Sequence, residues 1–380
     1  MAFEHDDLFT RQSSARQATG FFAKLAASVL MVWSAMATPA PAHSASGSPS
    51  TNYVTTINSV QPSASGFTVK SIEQGSRLEV RWKQGDPIVI AGYEGEPYLR
   101  IGPDGVEENR LSPAAYINRD RLGKTAPPAD VDAEAAPMWK AVSGRPLARF
   151  HDHRAHYMGS VRPESVDANP GARQTIQQFD VPISQGEQSY LVVGVVEWVP
   201  NKSPASYLVV AVALFGALVA TALWAGRSVV RGKAIRPLIV GALSALVVTD
   251  VVHLIGIAGG VAGGSLLGRA ITIGYASIAA WLIAGVSALL WLRGRPDALY
   301  LTTFAAGLIT LVGGVADLSV LSKPSVVFLW SSSLARWCVA ATLGLGLGLV
   351  VAAILLTRPN PQDESDLEHH LVAGGETVAD

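Results

Sequence analysis

The sequence predicts an exported all-β domain, a sandwich of the immunoglobulin-like kind, followed by an all-α transmembrane bundle of five helices. Three observations predict it. Up to about Ser203 the chain is polar and broken by Gly and Pro, with short β-branched and aromatic runs between the breaks. Beyond Ser203 come five apolar runs, each near the ~20 residues that cross a bilayer. The first 42 residues read as a secretory leader. Composition agrees: of 380 residues 49% are hydrophobic and only 16% charged, with a mean hydropathy of +0.29, too apolar for a wholly soluble protein. A net charge of -1 and the lack of any Lys/Arg block exclude a strongly basic nucleic-acid binder. The one cysteine, Cys338, falls in a predicted span. The exported part therefore has no disulfide, thiolate zinc site or catalytic cysteine.

In the leader, Arg11, Arg16 and Lys24 precede an apolar stretch over 25–36, and Ala37 to Ala42 supply small residues and prolines. That is the order of a cleaved signal peptide, residues 1–42, with His43 as the new N-terminus. Residues 43–51 are Ser/Gly-rich and read as a flexible leader to a β domain over 52–203. Strands are expected at 53–60, 67–72, 78–82, 87–91, 98–101, 147–151, 175–181 and 189–199. Pro103, Asp104 and Gly105 mark a turn, and 125–137 reads as a long surface loop. At about 150 residues such a domain buries a core without staples. Trp198 and Pro200 stand where it meets the membrane, a level that favours Trp.

The predicted spans are 205–225, 237–257, 270–292, 299–321 and 334–356, within a transmembrane domain over 204–357. Arg227, Arg231, Lys233 and Arg236 separate the first two, Arg293 and Arg295 the third and fourth, and Arg358 follows the fifth. The opposite loops hold Arg269, Lys323 and Arg336. The positive-inside rule puts the Arg-rich loops in the cytoplasm and the β domain outside, as the leader also requires. The acidic tail, 358–380, is expected to be disordered in the cytoplasm. Gly344 and Gly348 predict a close helix–helix contact.

Chemistry concentrates in three places. In His151-Asp152-His153-Arg154-Ala155-His156-Tyr157-Met158, His151 and His153 share one face of an extended strand, and a turn after Arg154 would return His156 and Met158 toward them. Imidazoles with a thioether suit copper. The alternative is a polar loop in which Asp152 pairs with Arg154 and the histidines satisfy backbone groups. His43, as an amino-terminal histidine, would offer copper an amine and a ring together. Second, Glu94 and Glu96 form a same-face carboxylate pair that Arg119 and Arg121 would oppose, as a salt-bridge network rather than a hydrolytic pair. Third, Asp250 and His253 share a face of the second span and Asp317 lies in the fourth. Ionisable groups in a span face a cavity or a partner, so the three mark either an ion, proton or metal path or a pairing with Arg269 and Arg336.

The run Gly92-Tyr93-Glu94-Gly95-Glu96-Pro97-Tyr98-Leu99-Arg100-Ile101-Gly102-Pro103-Asp104-Gly105-Val106, with Ser112-Pro113-Ala114 and then His151 to Arg154, resembles a group of uncharacterised actinobacterial integral membrane proteins. The resemblance implies an exported β domain on a small helical bundle, over about residues 50–357, and no activity. The layout is also similar to copper-uptake proteins that join a CopC-like sandwich to a CopD-like bundle. No Walker loop, Rossmann fingerprint, HExxH or G-x-S-x-G is present, so the expectation is not an enzyme. The sequence points to a membrane protein with an extracytoplasmic ligand-binding domain, binding or passing a transition metal such as copper, or passing a signal, to the bundle, with the lipid bilayer and either a metal ion or another envelope protein as partners and no nucleic acid. The alternative is a scaffolding envelope protein with no small-molecule ligand.

Overall fold

The computed structural model describes residues 50–119, 123–159, 161–226 and 233–356. The expected signal peptide, His43, Arg121, Arg227, Arg231 and the tail over 358–380 lie outside the described residues. Ten strands build the N-terminal part: β1 (Tyr53–Gln61), β2 (Phe67–Ile72), β3 (Arg77–Trp82), β4 (Ile88–Ala91), β5 (Pro97–Gly102), β6 (Gly105–Asn109), β7 (Trp139–Ser143), β8 (Leu147–Phe150), β9 (Gln174–Gln185) and β10 (Gln188–Trp198). They form two antiparallel sheets, β1-β10-β9-β4-β5-β6-β7 and β2-β3-β8. Alternation along each strand sends one set of side chains into a shared core. Phe67, Leu78 and Val80 from the small sheet meet Ile88, Ile90, Ile101, Val181 and Val192 from the large one.

Three strands differ from expectation, and the first is β6, which follows the expected turn where no strand was placed. β9 runs past Pro182 to Gln185, because its ladder with β4 starts only at Ile183 and Pro182 sits just outside it. β7 follows the surface loop at 125–137 and pairs with β6 at the open edge of the sheet, where Lys140, Ala141 and Val142 are exposed. Its five residues bury little, so no hydrophobic alternation announces it.

Among the described residues, five helices long and apolar enough to cross a membrane follow: α1 (Ala205–Ala225), α2 (Arg236–Gly260), α3 (Leu266–Leu292), α4 (Ala298–Ile309, continued by a wider π turn over Thr310–Val315) and α5 (Ser332–Leu356). The protein is an integral membrane protein. α5 is the best-buried helix and packs on α1, α2 and α4. Gly344 and Gly348 let α1 approach closely, since a Cβ on either would overlap Ala211, Leu214 or Leu218 of α1. The fourth span ends earlier than its apolar run suggests. Gly313 and Gly314 widen the helix into the π turn, Asp317 follows, and a short 3₁₀ turn at Leu318–Leu321 completes the run.

The sandwich sits on the bundle end formed by the α2–α3 and α4–α5 connections. Thr51 and Ser325 exchange backbone hydrogen bonds as a lone β-bridge, and the Lys202 N–H donates to the Ser322 carbonyl at 2.7 Å.

Candidate functional site

The tip of the β2–β3 hairpin makes the most specific of these contacts. Glu73 and Gln74 hold φ of 50° and 62°, followed by Gly75 at 90°. The left-handed region costs a residue with a Cβ about 1–2 kcal/mol, so two in succession need compensation from outside the hairpin. The bundle supplies it. The Ala262 N–H, in the α2–α3 connection, donates to Glu73 Oε1 at 2.6 Å. Gln74 donates to the Val326 carbonyl at 2.6 Å and accepts from the Ser325 hydroxyl. Gly75 is required where it stands, because a Cβ there would overlap the Thr55 side chain.

On the sandwich side the same hairpin is held by residues of a cleft. A recess of about 320 Å³ opens between β5–β7 and β8, lined by Arg77, Tyr98, Glu108, Arg119, Arg149 and His151 among others. His151 reaches the Ser76 carbonyl through Nδ1, and Arg77 Nε lies 3.5 Å from Glu73 Oε2. Two cleft residues thus grip the hairpin from behind. Sequence reasoning named His151 for another purpose and missed Arg77, whose partner is four residues back around a turn that no motif marks.

The His151–Met158 segment is organised by its acid–base pair. Asp152 is completely buried, and Arg154 meets it with two parallel bonds, Nε–Oδ1 at 2.9 Å and Nη2–Oδ2 at 2.7 Å. Arg154 also donates to the Ala91 and Gly92 carbonyls and lies over the Tyr93 ring. Burial opposes the Arg154 charge, but the bonds and charge of Asp152 outweigh it and raise its pKa. Burial, and next the Asp152 charge, push the Tyr93 phenol above its ordinary range. The phenol therefore stays a donor, to Asn118 Oδ1, while it accepts from the His153 N–H at 3.0 Å.

The structure brings the three histidines together: the His153 and His156 rings are 5.4 Å apart, those of His151 and His156 6.4 Å. His156 Nδ1 contacts the Asp152 carbonyl at 3.2 Å. Met158 is 37% exposed. Among the described residues no group of three or more His, Cys, Asp or Glu is placed to hold a metal ion. Glu94 and Glu96 do not act as a pair. Glu96 is buried and folds back to accept from the Ser112 hydroxyl at 2.5 Å and the Glu94 N–H at 2.9 Å. Arg119 pairs with Glu108 at 3.5 Å rather than with either of them.

In the bundle, Asp250, His253 and Asp317 are all buried and close together. His253 Nε2 meets Asp317 Oδ2 at 2.8 Å, and Trp281 of α3 donates to Asp250 Oδ2 at 2.8 Å. The π turn of α4 leans on this group, since a Cβ on Gly313 would overlap Asp250 Oδ1. His253 is buried, and the Cys338 thiol neighbours its ring. The expected pairing with Arg269 and Arg336 does not form. Arg336, 1% exposed, donates to the Val320 and Lys323 carbonyls and to Ser332. Arg269 donates to the Ala258, Gly263 and Gly264 carbonyls. Both arginines close helix ends and loops, whose carbonyls have no partner within a helix.

One residue joins the hairpin's dock to this buried group. Phe328, two residues past the Val326 carbonyl that Gln74 holds, packs beside His253 with ring centroids 5.8 Å apart. It lies in a notch on α2, where a Cβ on Gly256 would overlap its ring, and the next residue, Leu329, donates its N–H to the Gly256 carbonyl at 2.7 Å.

No known protein family, curated protein or solved structure matches the chain.

Proposed function

We propose that this integral membrane protein is a ligand-responsive coupling device, with an extracytoplasmic sandwich that reads a small polar ligand in the His151–Arg77 cleft and passes its state to the His253–Asp317 pair. The observation that carries the reading is the unbroken contact path between the two. It runs from His151 and Arg77 to the strained tip at Glu73 and Gln74, from there to Val326 and Phe328, and on to His253. A recess of about 320 Å³ is within the range of small-molecule sites. Non-glycine residues held in left-handed backbone cluster at switches, and π turns at functional sites; Glu73 and Gln74 lie on this path, and the π turn leans on Asp250 beside its end. The support for a resident metal is weaker: the histidines are adjacent, but the carbonyl contacts of His151 and His156 and the Asp152–Arg154 pair account for the arrangement. The loop charges and the leader support the outward orientation of the sandwich.

Coupling is reciprocal, and that is its test. Hydrogen exchange of the full chain in lipid nanodiscs should show that Asp317→Asn loosens the amides around 73–76, and that Glu73→Gln loosens those of 310–331. If each change stays within its own part, the sandwich is a passive cap and the scaffolding alternative stands.

A further inference from the structure

A second cleft, about 680 Å³, lies at the junction, between the start of β1, the chain entering α1 and the α4–α5 connection. Among the described residues its lining holds two cations, Arg162 and Lys323, and no carboxylate. Asn52, Tyr53, Trp198 and Asn201 supply the rest of its polar and aromatic wall. The site is built rather than incidental. Lys323 Nζ is fixed by Asn52 Oδ1 at 2.5 Å, and Asn52 is itself fixed by donating to the Val199 carbonyl and to Asn201 Oδ1, both at 2.8 Å. An ammonium with one donor spent on an amide keeps others for an anion. The Arg162 guanidinium lies over the indole of Trp198 at 5.8 Å, and the indole is pinned by its N–H to the Pro170 carbonyl at 3.0 Å. Asp167 stands 3.4 Å from Arg162, but both side chains are more than half exposed, so that pair yields to a better anion at little cost.

Position decides which anion. Asn201 is four residues before α1 begins, and Lys323 lies in the connection that returns the chain to α5. The cleft therefore sits at the level where a bilayer carries its phosphates, and exposed apolar side chains, Leu208, Val209 and Val212, follow in the first turns of α1. We infer that this cleft is a lipid site in which Arg162 and Lys323 hold the phosphate of an anionic phospholipid headgroup while its acyl chains lie along the bundle. The chemistry is that of any phosphate, so the experiment must separate lipid from free ion.

Native mass spectrometry of the full chain in detergent would be run with added phosphatidylglycerol, with phosphatidylcholine, and with inorganic phosphate. The inference expects saturable retention of phosphatidylglycerol over phosphatidylcholine, and no displacement by millimolar phosphate. Two cations near the surface imply a loss of roughly 30-fold in an Arg162→Gln/Lys323→Gln variant. Arg162→Glu, on a side chain exposed enough to spare the fold, should lose retention by itself, and Arg145→Gln, remote on the sandwich, should not. Equal retention by the variants and the unmodified chain overturns the inference, as does displacement by inorganic phosphate, which would make this a free-anion site.

Discussion

The sandwich and the bundle each bury a cluster of histidine and aspartate, and they satisfy it in opposite ways. Around His151–His156 the backbone is a loop with carbonyls to spare, so ring nitrogens contact Ser76 and Asp152 carbonyls and Asp152 finds Arg154 two residues on. In α2 the carbonyls are consumed by the helix ladder, and in a membrane nothing else replaces them. His253 and Asp250 must therefore find side chains elsewhere in the bundle, Asp317 just past the π turn and Trp281 on α3. A loop cluster has many small substitutes. A bundle cluster has few, so its geometry is tied to how the helices are arranged, and that makes it the better reporter of a conformational change.

The sharpest way to break this comparison is Asp317→Ala, which strands a buried histidine. It should cost about 3–5 kcal/mol, read by thermal unfolding in detergent, and a loss below 1 kcal/mol would mean the bundle cluster is as replaceable as the loop one. Asp152→Ala comes next, since it leaves a largely buried Arg154 that still holds the Ala91 and Gly92 carbonyls; about 2–3 kcal/mol is expected. His151→Ala removes one hydrogen bond to the Ser76 carbonyl and should cost about 1 kcal/mol. Its stronger signature is faster exchange at Glu73 and Gln74. Met158→Ala, at an exposed site, should move stability by no more than about 0.5 kcal/mol. Added Cu(II) sharpens the picture further: a rise in melting temperature that the His151→Ala/His153→Ala pair abolishes would revive a metal role for the cluster.

Much of the architecture was legible because its signals are periodic. The span over 205–225 and the strand over 67–72 match the helix Ala205–Ala225 and the strand Phe67–Ile72 residue for residue, since apolar runs and alternation are written locally. β7 escaped because an exposed edge strand needs no apolar face, and the end of α4 because two glycines in an apolar run do not announce a π turn. At the site, residue types were legible and partners were not. The pairing of Asp152 with Arg154 is two residues apart and could be read; that of His253 with Asp317 spans helices and could not be told from pairing with Arg336. The docking tip Glu73-Gln74-Gly75 carries no local pattern that sets it apart from other turns. Its left-handed backbone is imposed by contacts with residues 262, 325 and 326, which no local pattern encodes.

The central claim is that the hairpin tip and the buried pair form one energetic unit. A double-mutant cycle between Gln74→Ala and His253→Gln, measured by unfolding of the full chain in nanodiscs, tests it most directly. The two residues do not touch, so independent sites would add to within about 0.3–0.5 kcal/mol. Coupling through Val326 and Phe328 predicts a departure from additivity of about 1 kcal/mol, which should vanish when Phe328→Ala is introduced into all four corners. Additive losses in the presence of Phe328 would contradict the account.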